Sequence, residues 1–115
     1  MKLYNQSNNE ELAVQVGKAY SFFTRLQGLM FSKDLPTGCG LHLKPCQSIH
    51  TYFMNYAIDV VFVNKRLEVV GIIESMSPRK TSKVFRSAAS VFEFPAGTVS
   101  RTNTNIGDVL VIKES

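Results

Sequence analysis

The sequence predicts a β-rich α+β fold, in which short strands form a curled, mostly antiparallel sheet or a partly closed barrel beside one or two short helices. Two observations and one physical argument lead to this prediction. Short apolar, β-branched runs recur through the second half of the 115-residue chain. Turn-forming residues separate these runs at short intervals. So many short strands hide their edges most simply when the sheet curls or closes.

The first part of the chain predicts one strand, one short helix and one loop. Residues Leu12–Val16 alternate with period two, which is typical of a half-buried strand. Ser21 can cap a short helix from Phe22 to about Gln27, and Gly28 ends it. The segment Asp34–Gly40 contains a proline and two glycines and is therefore expected to be a loop.

The second part predicts a series of strands, and one of them is unusually apolar. Strands are expected at Leu41–Leu43, Ile58–Val63, Leu67–Ile73, Val91–Phe94 and Val109–Ile112. The run Ile58–Val63 holds a single polar residue, Asp59, and is expected to be buried on both faces. The turn Asn64–Arg66 joins it to the next strand as a hairpin.

Composition limits the class of protein. A chain of 12.9 kDa with 44% hydrophobic residues is expected to fold as a single domain, residues 1–115, and is too apolar to be intrinsically disordered. No apolar run approaches the roughly 18 residues that a membrane span needs. The first residues include no apolar stretch of a signal peptide, so a cytoplasmic location is expected. In that compartment Cys39 and Cys46 should be reduced, and their spacing does not match a zinc site. We expect no metal and no cofactor.

Several segments together resemble the uncharacterised DUF family 192, a small and widespread prokaryotic domain, over roughly residues 22–112. The matching segments are Gly28-Leu29-Met30, Cys46-x-Ser48-Ile49-His50-Thr51-x-x-Met54, Ile58-Asp59-Val60-Val61-Phe62, Val69-Val70, Phe94-Pro95-Ala96-Gly97-Thr98 and Gly107-Asp108. The resemblance supports the fold and a functional surface but implies no reaction. Phe53 departs from the family, since many relatives carry tryptophan or glycine there.

The segment 46–54 suggests thiol or metal chemistry. If it runs extended, one face carries the functional groups of Cys46, Ser48, His50, Tyr52 and Met54. A nearby imidazole would stabilise the thiolate of a catalytic cysteine, so Cys46 and His50 are the catalytic candidates of a small thiol-dependent enzyme. Four residues along a strand span about 13 Å, so a bend would have to bring the two together. Met30, Met54, Cys46 and His50 could alternatively bind Cu(I), although no tight ligand spacing supports that site.

The leading expectation is a noncatalytic module that binds a small molecule or an anion. Asp59 interrupts an apolar strand, and a buried carboxylate needs a partner such as Arg25 or His50. The pocket would then be lined by Arg25, Met30, His50, Thr51, Met54 and Asp59. The alternative is that Asp59 only ties the fold together.

A basic stretch offers a further possibility. Thirteen Lys and Arg against nine Asp and Glu give a net charge of +4. Four of these cations, Arg79, Lys80, Lys83 and Arg86, lie in a stretch without an acidic residue. Such a cluster could bind an anion or nucleic acid, but a solvated loop has the same composition, and nucleic acid is the less favoured partner.

Overall fold

The computed structural model of the chain describes residues 1–20, 35–52 and 54–114. These residues contain eight strands and one short helix. In chain order they are β1 (Lys2–Asn5), β2 (Glu10–Ala13), β3 (Gln15–Ala19), β4 (Cys39–Leu43), β5 (Ile58–Val63), β6 (Val69–Met76), β7 (Ser90–Pro95), α1 (Thr98–Thr102) and β8 (Leu110–Lys113). None of the helices in this described part of the chain is long and apolar enough to cross a membrane.

The described strands form two sheets. The smaller sheet has the order β2-β1-β8 and is antiparallel throughout, with Lys2 opposite Lys113 at one end of the β1–β8 pair. The larger sheet has the order β3-β4-β7-β5-β6. Its strands are antiparallel except for β3 and β4, which run parallel. The β-rich, mostly antiparallel prediction is thus confirmed, whereas the barrel alternative stays a prediction.

The larger sheet lies between two apolar clusters. Alternate residues of β5 contribute to each: Val61 and Val63 pack with the smaller sheet and α1, whereas Val60 and Phe62 pack on the opposite side. From outside the sheet, that opposite side is covered by residues of two other segments: Cys46, Ile49, Met54, Tyr56 and Phe85. Because both faces are covered, every residue of β5 is buried, as its continuous apolar run predicted.

The segment Leu12–Val16 does not form the single strand that its alternation predicted. It divides at Val14 between β2 and β3, which belong to different sheets. The Gly38 carbonyl accepts hydrogen bonds from the backbone N–H groups of both Val14 and Gln15, at 2.8 and 3.2 Å. A distant loop therefore fixes the point where the chain crosses between the sheets, which local periodicity could not indicate.

Two further elements differ from the sequence predictions. Strand β4 begins at Cys39, within the segment expected to be a loop, because its first residues pair in parallel with β3. Helix α1 was not predicted, since Pro95-Ala96-Gly97 indicated only the end of a strand. The predicted helix from Phe22 to Gln27 lies outside the described residues.

Candidate functional site

Two extended segments lie side by side over the larger sheet and form the framework of the candidate site. Residues 46–52 follow β4, and residues 79–86 precede β7. Backbone hydrogen bonds of 2.8–2.9 Å join the segments at Gln47–Phe85, Ile49–Ser82 and Thr51–Lys80. The segments therefore run antiparallel, which brings the basic stretch predicted from the sequence beside the motif that contains His50.

A cavity of about 840 Å³ opens at one end of these segments, and we call it the basic groove. Its lining comes from residues 45–47, the hairpin turn 64–66 and residues 86–89. Three cations, Lys65, Arg66 and Arg86, line the groove and are exposed to solvent. No acidic side chain is among the described residues that line it. The groove therefore presents positive charge to any ligand that enters.

The walls of the groove are fixed by hydrogen bonds. The Gln47 side-chain amide donates to the carbonyl oxygens of Arg86 and Ala88, at 3.0 and 3.1 Å. On the turn, Oδ1 of Asn64 accepts from the backbone N–H groups of Arg66 and Glu68, at 3.0 Å each. The Glu68 carboxylate in turn accepts from the Asn64 amide at 3.1 Å, so one carboxylate lies beside the turn. These contacts hold both sides of the groove in a defined position.

Lys65 and Arg66 were not identified as site residues from the sequence. They lie in a segment that was interpreted only as the turn of a hairpin. Two adjacent cations in a tight turn could have predicted that this turn presents positive charge to solvent. Their position opposite Arg86 depends on the pairing of β5 with β7, which a local pattern does not contain.

The Cys46 thiol, although it lines the groove, is almost fully buried. The residue is 6% exposed, and its Sγ donates a hydrogen bond to the Ser48 carbonyl oxygen at 3.0 Å. A thiol that donates this bond carries its proton, whereas a nucleophile must lose it. Met54 is also 6% exposed and belongs to the same apolar cluster. These surroundings are those of core residues.

Iodoacetamide is expected to alkylate Cys46 roughly tenfold more slowly than Cys39, because reagent reaches a buried thiol only when the structure opens locally. Cys39 is partly exposed and serves as the internal reference. Peptide mapping by mass spectrometry after timed quenching measures both rates in one sample, and both thiols should react alike in urea. Faster alkylation of Cys46 than of Cys39 in the folded protein would instead support the thiol-dependent enzyme.

His50 and Tyr52 lie on the outer side of the same segment. Both residues are exposed, and their rings stack with centroids 4.9 Å apart and planes inclined by 25°. Ile49 and Thr51, which alternate with them, are buried. The period of two therefore holds from Ile49 to Tyr52, but Cys46 turns inward with the core residues. The five side chains from Cys46 to Met54 thus do not share one face.

Thr51 attaches the basic stretch to this segment. Its hydroxyl donates to the Ser77 carbonyl oxygen at 2.7 Å and accepts from the Lys80 backbone N–H at 2.9 Å. Its carbonyl oxygen accepts from the Arg79 backbone N–H at 2.8 Å. Thr51 is fully buried. Its described contacts therefore position the loop that carries Arg79 and Lys80.

Asp59 lies on the other side of the larger sheet from Met54. It pairs with Phe94, faces the smaller sheet and is fully buried. One carboxylate oxygen accepts from the Ser75 backbone N–H at 2.8 Å. The other accepts from the backbone N–H groups of Gly97 and Val99, at 3.1 and 2.8 Å, where α1 begins. These contacts favour the interpretation that Asp59 ties β6 and α1 to β5.

The remaining predicted residues are distributed as follows. Arg25 and Met30 lie outside the described residues. Of the four cations of the basic stretch, only Arg86 lines the basic groove. The other three are exposed elsewhere along the segment 79–86: Arg79, Lys80 and Lys83. Within the described ranges, no three His, Cys, Asp or Glu side chains are grouped so that they could hold a metal ion.

His42 in β4 lies outside the groove and contacts two aromatic side chains, Tyr20 and Phe92. The residue is 3% exposed, its Nδ1 lies 2.8 Å from the Tyr20 hydroxyl oxygen, and its ring stacks on Phe92 at 4.1 Å. Burial, and secondarily the charge of Lys44, lowers the pKa of His42 from 6.5 to about 4. His42 is therefore neutral at pH 7.

The fold and the groove together define a small β-rich domain with an exposed basic concavity. The chain belongs to the DUF192 family, described as an uncharacterized ACR, whose sequence model matches residues 3–112. It is 31% identical over 113 residues to UPF0127 protein PF1050 of Pyrococcus furiosus, covering 94% of this chain and 95% of that protein. It is also 30% identical over 114 residues to a UPF0127 protein of Thermococcus sibiricus, and this match covers 92% of this chain and 71% of that protein.

Two crystal structures share the fold. One is described as a "putative transcription regulator" from Sinorhizobium meliloti, with a TM-score of 0.77 and 24% identity over 96% of this chain and 89% of that one. The other is a protein of unknown function from Novosphingobium aromaticivorans, also with a TM-score of 0.77. It is 17% identical, and the match covers 96% of this chain and 82% of that one. At these identities the likeness concerns the fold alone.

Proposed function

We propose that this protein is a noncatalytic binding module that holds an anionic small molecule in the basic groove. The observation that supports the proposal is the cavity of about 840 Å³, which is lined by three cations and by no acidic residue among the described positions. Pockets for small ligands usually enclose about 300–1,000 Å³, so the groove is large enough for one. Its positive lining selects for negative charge.

The cations of the groove suit a phosphate or a carboxylate group. Arg66 and Arg86 can each present a planar guanidinium that donates two parallel hydrogen bonds to such a group. Lys65 adds a compact charge beside them. Pro45, Ala88 and Ala89 supply apolar surface against which the rest of a ligand can rest.

This proposal places the site away from the pocket that Asp59 suggested. Asp59 already accepts three backbone hydrogen bonds on the far side of the larger sheet. The predicted anion-binding residue Arg86 is retained as part of the groove. The Cys46 thiol is almost fully buried and donates a hydrogen bond to the Ser48 carbonyl oxygen, which favours a structural role over a catalytic one.

Titration with inorganic pyrophosphate, and separately with citrate, tests the groove. We expect at least one of these anions to shift the backbone NMR signals of residues 64–66 and 86–89 with a Kd below about 1 mM. Arg86→Gln should weaken that binding about 10- to 100-fold, since one charge-assisted contact contributes about 1.5–3 kcal/mol.

Arg101→Gln is the matched control, because it removes the same charge from α1, outside the groove. This variant should bind the anion as the wild type does. The proposal is wrong if neither anion binds below about 10 mM. It is equally wrong if Arg86→Gln and Arg101→Gln weaken binding to the same extent, because binding would then depend on the net charge of the protein and not on the groove.

A further inference from the structure

We propose that a second surface of this protein binds single-stranded nucleic acid. This surface, the aromatic–basic strip, consists of the rings of His50 and Tyr52 and the cations of Arg79, Lys80 and Lys83. It shares no residue with the basic groove, so it does not depend on the function proposed there. Bases stack on the two rings, and the cations face the phosphates.

The rings form a platform that is both exposed and held in place. Tyr52 is 54% exposed, so its ring is accessible to a ligand. Its hydroxyl oxygen lies 2.6 Å from the Thr81 hydroxyl oxygen, and the His50 ring stacks beside it at 4.9 Å. Flat exposed rings of this kind accept any base, because every base has a π-face.

The two paired segments carry charge of one sign. The sequence contains no Asp or Glu from residue 35 to 58 or from residue 75 to 92, the two stretches that contain the paired segments. Arg79, Lys80 and Lys83 are all exposed along the segment 79–86, and the Lys83 ammonium lies over the Phe85 ring, 5.0 Å from its centroid. Glu74, also exposed, marks the end of the acid-free stretch. A polyanion that follows the loop therefore meets cations without opposing carboxylates.

The loop that carries these cations is already ordered. Thr51 holds its start through the contacts to Ser77, Arg79 and Lys80 described above. Its other end is anchored by Phe85, whose ring stacks on Phe62 at 4.0 Å. The same ring lies so close to Gly71 that a Cβ there would come within 2.4 Å of it, so glycine is needed at that position. A preformed surface loses little conformational entropy on binding.

The combination of rings and cations favours single strands over other acidic partners. An acidic peptide would pair with the lysines and the arginine but would leave the stacked rings unused. A duplex presents phosphates but keeps its bases stacked inside, away from the rings. A single strand uses both features, since its phosphates and its unstacked bases are accessible together.

Fluorescence anisotropy with a labelled single-stranded dodecauridylate tests the strip. We expect salt-sensitive binding that Tyr52→Ala weakens about tenfold, because base–aromatic stacking is lost. Tyr52→Phe keeps the ring and should bind within about twofold of the wild type. Ile106→Ala, at a residue that is 66% exposed, is the control for loss of exposed apolar surface and should have no effect.

The charge contribution has its own measurement. Lys80→Ala should reduce the slope of log affinity against log salt by about 0.7, whereas Arg101→Ala should leave it unchanged. The proposal is overturned if dodecauridylate does not bind below about 100 μM at low salt. Equal binding by Tyr52→Ala, or equal competition by polyglutamate, also overturns it and would indicate an acidic protein partner. The strip and the groove are tested with different probes and different variants, so failure here is distinguishable from failure of the groove.

Discussion

Replacing Asp59 with alanine is expected to lower the free energy of unfolding by about 4–6 kcal/mol, a large part of the stability of a small domain. The substitution removes the acceptor of three backbone N–H groups, those of Ser75, Gly97 and Val99. A buried donor without an acceptor costs about 1–3 kcal/mol. Because Asp59 is fully buried, water does not readily replace the lost carboxylate. Urea unfolding followed by far-UV circular dichroism measures the loss.

Asp108→Ala is the matched control for this prediction. The Asp108 carboxylate also accepts hydrogen bonds, from the Asn5 side chain and the Asn105 backbone N–H, at 2.8 Å each. Water can replace the bond to Asn105, which is exposed, and the fully buried Asn5 amide keeps its bond to the Thr104 hydroxyl at 3.3 Å. The cost should therefore stay near about 1–2 kcal/mol. Similar losses for both variants would contradict the tying role of Asp59. Should Asp59→Ala fail to fold, Asp59→Asn keeps one acceptor oxygen and should give an intermediate loss.

The second large effect is a dependence of stability on pH that comes from His42. Its pKa is lowered from 6.5 to about 4 in the folded protein, so between these values the unfolded chain takes up a proton that the folded chain does not. The contribution of neutral His42 to the free energy of unfolding is therefore fully present above about pH 6.5 and is lost as the pH falls toward 4. The shift of the His42 pKa from 6.5 to about 4 corresponds to about 3 kcal/mol of unfolding free energy.

His42→Phe should remove this contribution while it keeps a ring against Phe92. The difference in unfolding free energy between wild type and variant should change by about 3 kcal/mol between pH 6.5 and pH 4. Urea unfolding at closely spaced pH values gives that difference, and subtraction cancels the other titrating groups. A constant difference across this range would show that His42 is protonated in the folded protein as readily as in the unfolded chain.

Most strands could be predicted because their signals are local. The run Ile58–Val63 is a strand with the predicted bounds, and the hairpin that follows it is confirmed. The strand predicted at Val91–Phe94 lies within β7, and its charged residue Glu93 is only 1% exposed. Both faces of the larger sheet are covered, by segments far away in sequence, and a local pattern does not contain that information.

The candidate site was less predictable for a related reason. The sequence indicated the basic stretch and the motif around His50 as separate features, but not that they pair along their length. It also identified Asp59 as a residue in need of partners. It could not tell that those partners would be three backbone N–H groups from β6 and the start of α1. Long-range pairing decides both outcomes, and local sequence does not encode it.

The pairing of β1 with β8 has a consequence for how the chain reaches its structure. The smaller sheet joins residues 2–5 to residues 110–113, so its central strand must wait for the last strand to be synthesised. Closing so long a loop gives the sheet a high contact order and slows its formation. During translation the apolar side chains of β1 and β2, among them Leu3 and Leu12, are therefore without their final partners. This interval is when the nascent chain is most open to aggregation or to capture by a chaperone.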